Sequence, residues 1–204
     1  MPKNDIAIMK KEKTIDTQLI DRAIRFAVEA HEGVVRKGTD IPYIVHPLEA
    51  MVIVSTIDSD QELMAAALLH DVVEDAGITI SQIRSEFGSR VAKLVDVETD
   101  REVPGLSHVE SWQQRKQAAI DRLAAADRDT QIVALGDKLS NLRAMARHLR
   151  QQGDRLWQRF NEKDPARHAW YYRQLAESLS PLSETDAYHE FRELLEQVFP
   201  STDK

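Results

Sequence analysis

Apolar residues recur every three to four positions through most of this chain, the spacing of one face of an α-helix. The first such stripe runs over residues 19–30 and ends before Gly33, and another follows Pro47. Comparable stripes predict further helices over residues 79–87, 91–97, 107–126, 130–151, 167–179 and 185–199. No stretch shows the strict alternation that is typical of strands. The pattern therefore predicts an all-α fold.

The most apolar stretch, residues 60–69, leads directly into His70, Asp71, Glu74 and Asp75. It lacks Gly and Pro, so we predict one buried helix that continues through Asp75. On that helix His70 lies one turn before Glu74, and Asp71 one turn before Asp75. Burying these groups together costs several kcal/mol without compensation. A divalent metal is the simplest compensation, and a solvated helix end is the alternative.

Two more polar residues interrupt apolar stripes. His46 precedes Pro47, which favours the first turn of a helix, so His46 stands at a helix start. It is either a structural histidine or a third metal ligand. Asp137 lies among apolar neighbours and needs a partner if it is buried. That partner is either a metal ion or a salt bridge to Lys138 or Arg143.

Other charged and aromatic positions have simpler interpretations. Arg36 and Lys37 lie in a loop with Gly38, which is either a solvated turn or a site that holds a phosphate or stacks on a base. His31, on the last turn of the first helix, is expected to be structural. The aromatic residues 170–172 are expected to pack in the core. A solvated helix face is predicted for Arg115, Lys116, Asp121 and Arg122.

Composition narrows the choice of chemistry. The 204 residues are 42% hydrophobic, which suits one domain over residues 14–200 after a flexible tail over 1–13. The chain has no cysteine, so a metal must be held by His and carboxylates, which favours Mn, Mg, Fe or Zn.

Charge and hydropathy address partners and location. The net charge of −7 argues against binding long nucleic acid, although it allows a nucleotide substrate. No apolar run approaches membrane-spanning length and no leader is recognisable, so we expect a cytoplasmic protein without a membrane partner. The sequence leaves the oligomeric state open.

Four sequence blocks occur in a fixed order, namely RKG…PYIVHPLEA, AALLHDVVEDAGIT, FGSRVAKLV and LGDKLSNLR. Together they resemble the HD metal-dependent phosphohydrolases and, within these, the hydrolase domain of RelA/SpoT proteins. The resemblance covers roughly residues 20–150. It implies a stand-alone small alarmone hydrolase, with a single HD-type helical domain and one mononuclear metal site.

The resemblance also implies a role for individual residues. The ligands of one ion, usually Mn(II), would be His46, His70, Asp71 and Asp137. The pair that orients or deprotonates the attacking water would be Glu74 and Asp75. Arg36 would pack on the purine, Lys37 would contact a phosphate, and Asn141 would contact the sugar or base. Weaker candidates for phosphate contacts are Lys138 and Lys163.

The activity implied is removal of the 3′-pyrophosphate of guanosine tetra- or pentaphosphate, (p)ppGpp, to give GDP or GTP. The chain departs from the family at Ser140, where a histidine is frequent, and at Ala144, where the long enzymes often have threonine. The adenosine analogues and the 2′-phosphate of NADPH therefore stay open as substrates. A non-catalytic nucleotide sensor is an alternative of another class. A plain helical interaction module would leave the His and Asp constellation unexplained.

Overall fold

The chain folds as a packed set of α-helices. The computed structural model describes residues 16–101, 103–107 and 109–201, and these ranges contain helices but no strand. This confirms the all-α fold. The predicted tail over residues 1–13 lies outside the described residues, and the single domain over 14–200 stays a prediction. Within the described ranges, none of the helices combines the length and apolarity needed to cross a bilayer.

The helix bounds follow the apolar stripes closely. Helices α1 to α10 span Gln18–Ala30, Val45–Ile57, Gln61–Leu69, Val72–Asp75, Ile80–Phe87, Ser89–Glu98, Trp112–Ala124, Arg128–Gln152, Pro165–Ser178 and Asp186–Val198. Two short 3₁₀ segments, Gly153–Arg159 and Ser180–Leu182, follow α8 and α9.

Local side chains set several helix ends. The Asp60 carboxylate accepts a hydrogen bond from the Glu62 amide at 2.8 Å and caps α3. Thr79 and Gln82 form a reciprocal capping box at the start of α5. Gly88 ends α5 with φ +91°, a backbone conformation that favours glycine. These signals act within a few residues of each other and so are readable from sequence.

The predicted continuous helix through Asp75 is wrong. Helix α3 ends at Leu69, and the four-residue α4 begins only at Val72. His70 and Asp71 lie at the junction, where the Nδ1 of His70 is 2.7 Å from the carbonyl oxygen of Ala67. Helix α3 is enclosed by α1, α2, α6 and α8. The break therefore places two polar side chains at the inner end of a buried helix.

Helix α8 approaches α2 closely at Gly136. A Cβ atom added there would lie 2.8 Å from Val54 Cγ2 and 2.9 Å from the Ala50 carbonyl oxygen. A backbone oxygen cannot rotate away as a flexible side chain can. The absence of a side chain at Gly136 thus sets the distance between two helices that carry His46 and Asp137.

We expect Gly136→Ala to destabilise the protein by about 1–3 kcal/mol, the usual cost of overpacking. Alanine normally stabilises a helix relative to glycine by about 1 kcal/mol, so a loss would isolate the steric effect. Urea unfolding measures the change. The exposed Gln151→Ala on the same helix is the control and should shift stability by less than about 0.5 kcal/mol. A Gly136→Ala protein as stable as wild type would contradict the close approach.

Candidate metal centre and its cavity

Two helices and one junction between helices bring the four predicted ligands together. His46 comes from α2, Asp137 from α8, and His70 and Asp71 from the α3–α4 junction. The Nε2 atoms of the two histidines are 3.2 Å apart. Asp137 Oδ1 lies 3.1 Å from His46 Nε2 and 3.6 Å from His70 Nε2. Asp71 Oδ2 lies 2.9 Å from His70 Nε2 and 3.5 Å from His46 Nε2.

This spacing fits the donor set of a single ion. Ligand atoms about 2.1 Å from one ion lie about 3.0–3.4 Å from neighbouring ligands. The group His46, His70 and Asp137 has all its ligand atoms within 4.8 Å of one another, and its members are buried. Asp71 joins them through its contacts to both histidines. The described residues therefore contain a His/His/Asp group suited to a divalent metal.

The hydrogen bond of His70 fixes which ring nitrogen carries the proton. A carbonyl oxygen only accepts, so the Nδ1 of His70 must be the donor to Ala67. The Nε2 of the neutral ring is then unprotonated, with its lone pair directed at the other ligand atoms. His46 has its own Nδ1 contact, at 2.9 Å from Ser140 Oγ.

The cluster carries an excess of negative charge. Burial alone would lower the pKa of His70, but the Asp71 and Asp137 carboxylates outweigh it and raise that pKa well above its usual value. Burial opposes the ionisation of Asp71, yet His70 and His46 hold the pKa of that carboxyl below its usual range. Carboxylates that pull protons onto a buried imidazole also attract a cation.

Asp137 has a cationic neighbour as well as the histidines. Lys138 forms an ion pair with its carboxylate and lies 3.6 Å from Glu98. Asp137 therefore forms the salt bridge to Lys138 and also contacts the two histidines of the predicted metal site. The alternative partner Arg143 does not pair with Asp137. It pairs with Glu49 and Glu190 instead.

Glu74 and Asp75 lie one turn beyond the junction, on α4, and open into a cavity. Withdrawal from bulk water and the nearby carboxylates of Asp71 and Asp100 raise the pKa of Glu74 to about 7. Glu74 also accepts a hydrogen bond from the Asp100 amide at 3.3 Å. A carboxyl with a pKa near neutrality is suited to taking or giving a proton at physiological pH.

The cavity above the cluster has a volume of about 490 Å³ and is lined mainly by polar side chains. Arg36, Lys37, Lys138 and Asn141 line it, as predicted for substrate contacts. Lys163 is exposed and is not part of the lining. A short loop holds the first two residues, since the Arg36 amide donates to the Ile41 carbonyl at 2.8 Å.

Asn141 links the loop to the metal group. Its Nδ2 donates to Asp137 Oδ1 at 2.5 Å, and its Oδ1 accepts from the Arg36 guanidinium at 2.7 Å. The carbon at the centre of that guanidinium lies 5.5 Å from the centre of the Tyr43 ring. This distance is that of a cation–π contact, and both side chains line the cavity.

The sequence missed a second set of cations in the cavity. Arg115 and Lys116 line it and pair with Asp100, so the prediction that they form a solvated face is wrong. Arg115 is buried, whereas Asp121 on the same helix is exposed. Arg115 stands three residues after the buried Trp112, so the helical period could have placed it on the inner face.

Tyr43 is another site residue without an assigned role in the sequence. Its hydroxyl donates to Asp71 Oδ2 at 2.6 Å. His31, at the C-terminal end of α1, is buried and packs its ring 4.8 Å from that of Tyr43. Tyr171 and Tyr172 are buried, as expected for core aromatics, and also line the cavity.

Comparison with known families and proteins places this geometry in context. The family model described as "HD domain" matches residues 23–165. A protein of Aquifex aeolicus named guanosine-3′,5′-bis(diphosphate) 3′-pyrophosphohydrolase is 36% identical over 126 residues. That match covers 62% of this chain but only 18% of the relative, and similar bacterial proteins are matched over comparable small fractions.

A shorter relative is matched over most of its length. The Xenopus tropicalis protein named guanosine-3′,5′-bis(diphosphate) 3′-pyrophosphohydrolase MESH1 is 35% identical over 136 residues, covering 65% of this chain and 72% of that protein. Among solved structures, a metazoan orthologue of SpoT reported to hydrolyse ppGpp superimposes with a TM-score of 0.72. It is 23% identical and the match covers 90% of this chain and 97% of that one, which shows a shared fold.

Proposed function

Since the chain belongs to the HD domain family, and within it to the RelA/SpoT hydrolase-domain group, we propose that it hydrolyses the 3′-pyrophosphate of (p)ppGpp. The products are GDP or GTP and inorganic pyrophosphate. The resident ion proposed is Mn(II), held by His46, His70, Asp71 and Asp137.

One observation carries this proposal. Two imidazoles and two carboxylates converge at the base of a cavity that also holds cationic side chains. The cations come from two separate elements, the loop with Arg36 and Lys37 and the helix with Arg115 and Lys116. A substrate with a phosphorylated 3′ end and a phosphorylated 5′ end needs positive charge at more than one place. The choice of (p)ppGpp as the nucleotide is based on the names of the similar proteins, which are called guanosine-3′,5′-bis(diphosphate) 3′-pyrophosphohydrolases.

The proposed reaction is attack of water on the phosphorus bonded to the ribose 3′ oxygen. A divalent ion bound at this site lowers the pKa of water and offsets the charge of the phosphate. Glu74 accepts a proton from the water, and Asp75 beside it helps to orient the water. The bond between phosphorus and the 3′ oxygen breaks, and that oxygen becomes the 3′ hydroxyl by taking up a proton.

The proposed substrate contacts use the cavity wall. Arg36, which makes a cation–π contact with Tyr43, packs on the purine, and Asn141 contacts the sugar or base. Lys37 and Lys138 hold phosphate oxygens. Lys37 donates to Asn161 at 2.7 Å, so phosphate binding would exchange that contact for a charged one. Lys163 stays a prediction, since it is exposed and lies outside the cavity lining.

Turnover of purified protein tests the proposal. The protein with Mn(II) is given guanosine tetraphosphate, its adenosine analogue or NADPH, with a chelator added in parallel samples. We expect GDP and pyrophosphate in equal amounts from the first substrate, and none after chelation. Release of phosphate from NADPH, without turnover of the other two nucleotides, would show that NADPH and not (p)ppGpp is the substrate. Nucleotide binding without turnover of any of the three would favour the sensor alternative.

The pKa of Glu74 gives a pH prediction. A general base must be deprotonated, and a bound cation lowers the pKa of a nearby carboxyl, so with saturating Mn(II) we expect kcat to rise with pH up to a midpoint at or below about 7. Well below that value kcat should fall about tenfold per pH unit. A pH–rate profile at fixed ionic strength measures it. Full activity at about pH 5, where an ordinary histidine is protonated, would contradict both the base and the histidine ligands.

A further inference from the structure

We infer that Ser140 and Glu49 form a positioning relay, which holds His46 with an unprotonated Nε2 directed at the metal. The relay is the series of hydrogen bonds from His46 through Ser140 to Glu49. The inference rests on the metal centre of the proposed function and adds to it two residues that are not among the predicted ligands or substrate contacts. Ser140 and Glu49 lie outside the ligand group and the lining of the main cavity, and the relay would affect the affinity of the site for its metal.

The direction of each hydrogen bond follows from the donors available. Ser140 Oγ lies 2.8 Å from Glu49 Oε2 and 2.9 Å from His46 Nδ1. A carboxylate only accepts, so the single hydroxyl proton of Ser140 goes to Glu49. The serine oxygen is then left to accept, and the proton that it accepts must come from the Nδ1 of His46. The Nε2 of a neutral ring in this state has a free lone pair.

The carboxylate end of the relay is itself anchored. Arg143 Nη1 lies 3.3 Å from Glu49 Oε1, while Nη2 and Nε of Arg143 bind the two Glu190 carboxylate oxygens at 2.6 and 2.7 Å. Glu49 is on α2, Arg143 on α8 and Glu190 on α10. The ion pair with Arg143 keeps Glu49 as an acceptor. The C-terminal helix α10 is thereby connected, through charged contacts, to a metal ligand.

The two histidines differ in how they are held. The Nδ1 of His70 donates to a backbone carbonyl, which no side-chain substitution removes. The Nδ1 of His46 depends on a serine hydroxyl, and both residues are almost fully buried, with 1% exposure for Ser140 and 3% for His46. Without the hydroxyl, a buried ring N–H loses its acceptor, and the ring is free to turn or change tautomer. Of the two histidines, His46 is therefore the one that a substitution outside the ligand set can loosen.

The test measures Mn(II) affinity directly, by competition with a fluorescent chelator. We expect Ser140→Ala and Glu49→Ala each to weaken Mn(II) binding by about 10-fold or more, the usual effect of removing a partner of a metal-ligating histidine. The two residues act in series, so the double variant should lose little more than the worse single variant. The ¹⁵N–¹H NMR spectrum of metal-free protein should show the Nδ1–H form of His46 in wild type and mixed forms in the variants.

Two matched controls separate the relay from general damage. Ser178→Ala removes another buried serine hydroxyl, which bonds to the Gln174 carbonyl away from the cavity. Glu193→Ala removes an exposed carboxylate from the same helix α10 and leaves Ser140, Glu49, Arg143 and Glu190 in place. Both should bind Mn(II) within about twofold of wild type. Urea unfolding of metal-free samples checks that Ser140→Ala is folded, and Glu49, which is partly exposed, supplies a second variant of lower folding risk.

The outcomes distinguish this inference from the proposed function. If wild type turns over substrate and both relay variants bind Mn(II) as tightly as wild type, the relay is wrong and the proposed function stands. If wild-type protein binds no divalent ion, the metal centre fails and the relay fails with it. Weaker binding in the relay variants with unchanged controls supports the relay.

Discussion

Replacing Glu74 by glutamine is expected to lower kcat by about 100- to 10,000-fold while leaving the metal bound, since a positioned general base typically contributes that much. Glu74 lines the cavity beside the ligand cluster, but it is not one of the residues whose ligand atoms converge there. Its pKa of about 7 suits it to accepting a proton from water. Glutamine keeps the size of the side chain and removes that capacity.

Two measurements on this variant show whether Glu74 is a general base or a metal ligand. The chelator competition reports Mn(II) affinity, which should stay within a few-fold of wild type, and single-turnover kinetics report the chemical step. Glu86→Gln, an exposed glutamate on α5, is the control and should change neither quantity. A Glu74→Gln protein that has lost its metal would show that Glu74 is a ligand, and the assignment of roles would have to be reversed.

Asp71→Ala is expected to weaken Mn(II) binding by more than about 100-fold, because even residues that only support a ligand contribute about 10- to 100-fold. Asp71 Oδ2 lies 2.9 Å from His70 Nε2, and it accepts the Tyr43 hydroxyl at 2.6 Å. Alanine removes the charge that offsets the ion and leaves that hydroxyl without its acceptor. Turnover at low Mn(II) should be lost with the metal.

The companion variant Asp71→Asn distinguishes lost charge from lost folding. Its amide oxygen can still accept the Tyr43 hydroxyl, so the metal-free protein should be closer in stability to wild type than Asp71→Ala, while Mn(II) binding is still lost. Asp121→Ala, an exposed aspartate on α7, is the matched control. Retention of wild-type affinity by both Asp71 variants would remove Asp71 from the ligand set.

The helices and several of their ends were predictable because the interactions that set them lie within a few residues of each other in the sequence. The apolar stripes predicted the helices. Asp60, Thr79 and Gly88 set several helix ends, and each of these signals acts within one turn. The break at His70 and Asp71 escaped prediction. The residues around it are all compatible with a helix, and the contact of the His70 ring with Ala67 is not visible as a sequence period.

The sequence by itself predicted an all-α chain from its apolar stripes, and its resemblance to the HD phosphohydrolases implied that His46, His70, Asp71 and Asp137 hold a metal. Only the tertiary structure decided which other side chains reach them. In the folded protein Arg115 lines the cavity. Arg143 pairs with Glu49 and Glu190 instead of Asp137. Ser140 forms hydrogen bonds with both His46 and Glu49. These contacts join residues up to 94 positions apart in the sequence. They depend on how α2, α7, α8 and α10 pack against one another. A local pattern of apolar and polar residues contains no information about that packing.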